Sequence, residues 1–175
     1  MNITGGKFRG RKITAPDETF TRPTLSKTRE SVFNILFSIT DFENKNFLDL
    51  FAGSGIMGLE ALSRGFKDCW CVEKNFKIAQ VLKSNYASLG LKPNLKIGDS
   101  LKFLKVTEQK FDVIYIDPPY LSGLYENCLK IIKDNQVLQP NGIIILEHSQ
   151  PVDFTEFNVI KQKIYSQKYV TFLVE

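Results

Sequence analysis

The stretch from Phe47 to Gly58, Phe-Leu-Asp-Leu-Phe-Ala-Gly-Ser-Gly-Ile-Met-Gly, constrains this chain more than any other. An apolar run ends in Asp49, and a loop carrying Gly53 and Gly55 then leads through Gly58 into a helical pattern. It reads as a buried strand turning into a helix over a bound ligand. Glycines at the G-x-G-x-x-G spacing let the backbone turn tightly and approach a ligand that any Cβ would hold off. The same spacing serves dinucleotides, whose pyrophosphate rests on the helix N-terminus, so the residues around the glycines decide. A carboxylate at Asp49 would repel two phosphates, but it suits the ammonium of an amino-acid-bearing cofactor such as S-adenosylmethionine. The plainer alternative is that Asp49 only ties down the loop by accepting backbone N–H bonds.

A chain of 175 residues with 43% hydrophobic content and 24% charge suits one soluble globular unit. No apolar run approaches the length of a membrane span. Met1 to Gly6 leads into basic residues without the apolar core of a signal peptide, so a cytoplasmic protein is expected. Three cysteines and one histidine make neither a disulfide framework nor a zinc spacing; reduced thiols and no metal are expected. Of 23 bases and 19 acids, seven and three fall in residues 1–30, so the remaining sixteen of each balance and the first thirty residues carry the whole net charge of +4. Lys7, Arg9, Arg11, Lys12, Arg22, Lys27 and Arg29 thus form a basic arm suited to a polyanion, or else a solvated terminus.

Glycines and prolines break residues 1–24 into short pieces, with a strand or hairpin expected around Lys7–Ile13. From Lys27 to Ile39 the spacing predicts a helix with Val32, Phe33, Leu36 and Phe37 on one face, capped by Thr24 or Ser26. After the glycine loop, helices are expected over Ile56–Arg64, Phe76–Leu89, a segment reaching about Leu104, and Tyr125–Lys133. The second of these should bury Phe76, Ala79, Leu82, Tyr86 and Leu89. Strands are expected at Asp68–Glu73, Leu95–Ile97, Phe111–Ile116 and Gly142–Glu147. Alternating strands and helices imply an α/β, Rossmann-like fold with a mostly parallel sheet and helices on both faces. Phe157–Ser166 and Val170–Val174, around Gln167-Lys168, should form an antiparallel hairpin at the sheet edge. Residues 1–40 are expected as a basic arm and helix packed on a domain of residues 41–175, the whole monomeric.

Ligands of such sheets bind beyond the carboxyl ends of the strands, where Asp49, Glu73, Asp99 and Asp117 converge. Glu73 suits the two hydroxyls of a ribose and Asp99 an adenine amino group. Phe51 and Ser100, beside them, join the candidate cofactor set. In Asp117-Pro118-Pro119-Tyr120, two prolines stiffen the chain, so the Asp117 carboxylate and the Pro118 carbonyl present acceptors in a fixed place. That suits an exocyclic NH₂, with Tyr120 stacking on a flipped-out base. Asp117 as an acceptor fits guanine, whose N1–H and N2–H₂ are adjacent donors, better than adenine. The rivals are a DNA adenine-N6 or cytosine-N4 methyltransferase, a small NAD-dependent dehydrogenase, and a non-catalytic RNA-binding module.

These motifs resemble those of class I S-adenosylmethionine-dependent methyltransferases acting on amino groups. More narrowly, Arg9-Gly10-Arg11-Lys12, Arg22-Pro23-Thr24, Arg29-Glu30, Val32-Phe33-Asn34, Asp49 to Gly55 and Gly58 to Gly65 resemble the RsmD family, bacterial enzymes that methylate guanine N2 of 16S ribosomal RNA. The resemblance runs from Gly5 to about Glu147, and Ile164 to Tyr169 is only loosely like the family's closing hairpin. It implies a seven-stranded sheet with an antiparallel last strand, cofactor contacts at Asp49, Gly53, Gly55, Glu73 and Asp99, and an amine site from Asp117 to Tyr120. The implied partner is 16S ribosomal RNA or a small-subunit assembly intermediate.

Overall fold

The chain forms α1 (Ser26–Ile39), β1 (Asn46–Asp49), α2 (Ile56–Ser63), β2 (Asp68–Glu73), α3 (Phe76–Ala87), β3 (Asn94–Ile97) and α4 (Ser100–Val106). β4 (Phe111–Ile116), α5 (Leu124–Asp134), β5 (Leu138–His148), β6 (Asn158–Tyr165) and β7 (Lys168–Val174) follow. This is a computed structural model, and it describes residues 1–16, 26–119, 123–165 and 168–175. The proposed cap Thr24, the arm residue Arg22, Tyr120 and the hairpin residues Ser166 and Gln167 lie outside the described residues.

The seven strands form one sheet in the order β3-β2-β1-β4-β5-β7-β6. The first five are parallel, while β7 runs antiparallel between β5 and β6. Side chains of a strand alternate between faces, and here the alternation divides the core in two. Phe47, Cys69, Cys71, Val113, Tyr115, Ile145 and Phe172 pack with residues of α1, α2 and α3. Leu48, Val72, Ile114, Ile116, Ile144, Leu146 and Leu173 pack with residues of α4 and α5. Strands buried on both sides read as unbroken apolar runs, which is how β1 and β4 appear in the sequence. After β3 the chain returns across the sheet to place β4 beside β1, so the order of strands reverses between those two. Ligands of such sheets bind at that reversal, beyond the carboxyl ends.

Several expectations need correction. Phe37 is 71% exposed and Phe76 64% exposed, although both were expected on buried faces. Burial in α3 runs instead through Ile78, Ala79, Leu82, Asn85 and Tyr86, leaving Phe76 on the first turn after the Asn75 cap. Phe37 lies against Phe42, in the segment that leads into β1, with ring centroids 5.6 Å apart. β5 begins at Leu138 rather than Gly142, through an irregular step in its pairing with β4. Residues 7–13 form no regular strand; the hairpin instead pairs residues 1–3 with 11–13, through an antiparallel bridge from Asn2 to Lys12 and the backbone bonds of Ile3 to Arg11 and Ile13 to Met1.

Arg29 also departs from expectation. It was grouped with the RNA-facing arm, yet it is 1% exposed, with its Nε 3.3 Å from Glu60 Oε1 and its Nη2 donating to the Asn2 carbonyl at 2.8 Å. Glu60, fully buried on α2, also receives the Thr4 backbone N–H at 2.9 Å and pairs with Arg64. A buried carboxylate demands such partners, and here it draws the N-terminal segment onto the body. Arg29→Ala would remove one of Glu60's two cationic partners while Arg64 and Thr4 remain, so urea unfolding should show a loss of roughly 1.5–3 kcal/mol, the range for a hydrogen bond to a charged group; an unchanged midpoint would show that the pair contributes nothing net.

Candidate active site

Asp49 ends β1 in register with Cys71 of β2 and Tyr115 of β4, in the middle of the carboxyl rim. Its side chain is 1% exposed and its Oδ2 has no hydrogen-bond partner, while the nearby Gly58 backbone N–H favours its charged form. Burial pushes its pKa up from 3.8 to about 8, with the Gly58 backbone N–H opposing it and Asp117 and Glu73 adding repulsion. The reading of Asp49 as a loop tie therefore leaves Oδ2 unaccounted for. A buried acceptor without a donor is costly, and it is the kind of vacancy that a cationic or N–H-bearing ligand fills.

The glycine loop closes over this acid. Gly53 and Gly55 have φ of +51° and +79°, the left-handed region that favours glycine, and a Cβ at Gly53 would meet nothing within 4 Å. Gly58 serves a different purpose: a Cβ there would come within 2.5 Å of Cys69 Sγ and closer still to Tyr86 Oη. Its bareness lets α2 lie against β2 and α3. Glu73 accepts from Gly53 N–H at 2.9 Å and from Asn75 N–H at 2.7 Å, tying the end of β2 to the loop. Each carboxylate oxygen can accept more than one hydrogen bond, so these contacts leave acceptor capacity for hydroxyls.

The other expected residues divide. Asp99 caps α4 through the Lys102 N–H at 3.0 Å, with Lys74 3.8 Å from its second oxygen. Ser100 is buried and donates to the Leu50 carbonyl at 2.7 Å, so its hydroxyl hydrogen is spent on structure. Phe51 is half-buried against the α4–α5 side of the core. Asp117, one residue past β4, has a partly exposed side chain; Pro118 is buried and Pro119 exposed. Lys7, Arg9, Arg11, Lys12 and Lys27 are exposed, and Arg11 donates to the Ser88 carbonyl. Among the described residues, no group of three or more His, Cys, Asp and Glu could hold a metal ion, and no helix is long and apolar enough to cross a membrane.

A family model described as "Conserved hypothetical protein 95" matches residues 1–174. The chain is 35% identical over 149 residues to "Ribosomal RNA small subunit methyltransferase D" of Escherichia coli (strain K12), covering 84% of this chain and 74% of that protein. The chain belongs to the RsmD family. It is also 37% identical over 161 residues to "Putative rRNA methyltransferase YlbH" of Bacillus subtilis (strain 168), covering 89% of this chain and 86% of that protein. Among solved structures, "Putative methyltransferase yhhF from Escherichia coli" superposes with a TM-score of 0.86 at 29% identity, covering 99% of this chain and 96% of that one. The fold is accordingly the Rossmann-like methyltransferase fold.

This RsmD-family chain also brings to the rim residues that sequence reasoning missed. Asn85, a polar residue within the buried face of α3, bonds the Thr14 backbone through both its amide groups and the Ser54 carbonyl of the glycine loop at 3.0 Å. It thereby joins the end of the basic segment to the loop. Glu147 ends the apolar run of β5 as the other acids end theirs, and the same rule applied to that strand would have found it. It is buried and accepts from Tyr115 Oη at 2.6 Å, while Lys168 Nζ bonds its other oxygen. The Tyr115 hydroxyl is pushed well above its usual pKa by burial and then by the Glu147 charge. Lys168 Nζ also lies 3.7 Å from Asp117 Oδ1.

The Asp49 pKa makes a testable statement about the ligand-free protein. The folded state holds a proton that the unfolded chain has already released, so the stability this group contributes is full below about 3.8 and is lost as pH rises toward about 8. Asp49→Asn, which cannot ionise, should raise the thermal midpoint by a margin that widens between about pH 5 and about pH 8. A margin independent of pH would mean that Asp49 titrates normally.

Proposed function

We propose that this chain transfers a methyl group from S-adenosylmethionine to the exocyclic N2 amine of a guanine in 16S ribosomal RNA of the small subunit. The observation that carries the reading is the pair of acids where β1 meets β4: a buried Asp49 with one oxygen unpartnered, and a more exposed Asp117 leading into Pro118. The first fits the cofactor's ammonium and the second an NH₂ group. The names of the relatives support the substrate, since the E. coli protein is named as a small-subunit ribosomal RNA methyltransferase.

When bound, S-adenosylmethionine supplies a methyl group already activated by its sulfonium charge. The chain's own work is positioning, which can be worth effective molarities on the order of 10⁵–10⁸ M. Asp49 receives the ammonium, Glu73 the ribose hydroxyls and Asp99 the adenine amine, with Gly53 leaving room for close approach. Asp117 and the Pro118 carbonyl accept from the two N2 hydrogens. They turn the nitrogen lone pair away from the ring and toward the methyl group, and Asp117 takes up the proton that the amine sheds. Tyr120 stacks on the base. The exposed bases Lys7, Arg9, Lys12 and Lys27 hold phosphates, which set affinity and position rather than sequence.

Asp117→Ala should cost about 10²-fold or more in methyl transfer, because the amine loses its orientation, while cofactor affinity measured by calorimetry changes little. The labelled nucleoside from digested 16S RNA should be N2-methylguanosine; N6-methyladenosine in its place would overturn the choice of base. Replacing Lys7, Arg9 and Lys12 together with Ala should weaken RNA binding and flatten its log–log salt dependence by about 0.7 for each lost single-strand phosphate contact. An unchanged slope would return these residues to the role of a solvated surface.

A further inference from the structure

Lys168 opens β7, and because β7 runs antiparallel to β5 its first residues lie beside the carboxyl end of β5, where His148 pairs with Tyr169. This strand therefore delivers a lysine to the part of the rim that holds Asp117 and Glu147. The lysine is held there by a buried post: Glu147 takes the Tyr115 hydroxyl on one oxygen and the Lys168 ammonium on the other. Its ammonium stands 3.7 Å from Asp117 Oδ1, beyond hydrogen-bond length, with both side chains about a quarter exposed. A cation and a carboxylate thus stand side by side as an ion pair at the rim. The acids assigned to the cofactor belong to β1, β2 and β3 and their following loops, whereas Lys168 lies across β4 and β5 from them. The pair accordingly flanks the place of the methyl acceptor, not that of the donor.

We infer that Lys168 is a specificity-determining residue that donates a hydrogen bond to guanine O6 while Asp117 accepts from the neighbouring N1–H and N2–H. The inference rests on the guanine-N2 reading above. Guanine presents two donors and one acceptor in a row along that edge, which an anion beside a cation matches. Adenine would set its 6-amino group, a donor, against the ammonium, and its N1, an acceptor, against the carboxylate. Such donor-to-donor and acceptor-to-acceptor contacts reject a base more strongly than a missing contact does, because buried polar groups are left unpaired.

The test uses small-subunit RNA carrying guanine, 2-aminopurine or 2,6-diaminopurine at the methylated position. All three keep the 2-amino group; the second lacks O6 and the third puts an amine in its place. With the wild-type protein, single-turnover methylation should fall from guanine to 2-aminopurine and fall again to 2,6-diaminopurine. Those two analogues share the same N1, so equal rates on them would overturn the role of Lys168. Lys168→Met should lower kcat/KM on guanine by about 10- to 100-fold, the worth of a hydrogen bond to a charged group, and narrow the gap between guanine and 2-aminopurine to what N1–H contributes through Asp117. Lys168→Arg, which keeps Glu147 paired, should retain the preference for guanine. An equal fold-loss on guanine and 2-aminopurine in Lys168→Met would leave Lys168 as a buttress of Glu147 alone. Failure of the wild type to form N2-methylguanosine would overturn the underlying base assignment, and is read separately from the coupling.

Discussion

The site hangs on the closeness of α2 to β2 and α3 at Gly58. No side chain fits between that backbone and the Cys69 and Tyr86 side chains, so any other residue would push the helix outward. The position of α2 fixes the Gly58 N–H, whose dipole eases the burial of Asp49 at the end of β1. It also fixes Glu60, two residues on, to which Arg29, Arg64 and Thr4 are tied. One bare position thus bears on both Asp49 and the anchorage of the N-terminal segment.

Electrostatics then organises the rim around unequal acids. Asp49 is buried, and with Asp117 and Glu73 nearby it resists ionisation unless a cation arrives. Glu147 is equally buried but satisfied from both sides, by Tyr115 and Lys168. Asp117 lies between these conditions, partly exposed and paired with Lys168 at 3.7 Å. A buried acid without a partner is poised to take a positive ligand group, and one already saturated serves as scaffold. The proposed division of labour, donor at Asp49 and acceptor at Asp117, follows that gradient. The basic segment lies on the same body, joined through Thr14 and Asn85 to the glycine loop, so contact with a polyanion and the site share one framework.

Much of this was legible in the sequence because it is local. The apolar run, acid, glycines and helix from Phe47 to Gly58 appear in the structure in that order, and β2 and β4 have the bounds their residues predict. The acids at or just past the ends of β1 to β4 reach one rim, as a parallel sheet requires. Helix faces were less legible: Phe37 and Phe76 fit an apolar pattern yet face outward, because which face is buried depends on the angle at which a helix meets its neighbours. Arg29 is the sharpest case. Within a basic stretch it has the same chemistry as Arg9 or Arg11, and only Glu60, distant in sequence, decides that it is buried.

The sequence by itself determined the strand–glycine–helix unit, the parallel core and the strand-end acids, since each follows from side-chain period and turn chemistry within a few residues. Tertiary structure alone decided which of those groups lack partners and which are saturated. It did so most plainly at Lys168, which reads as a turn residue in a polar hairpin until β7 inserts antiparallel between β5 and β6 and carries it to the acidic rim. Pairing between segments far apart in the chain costs loop closure and is rewarded by burial of the whole sheet. No local pattern records it.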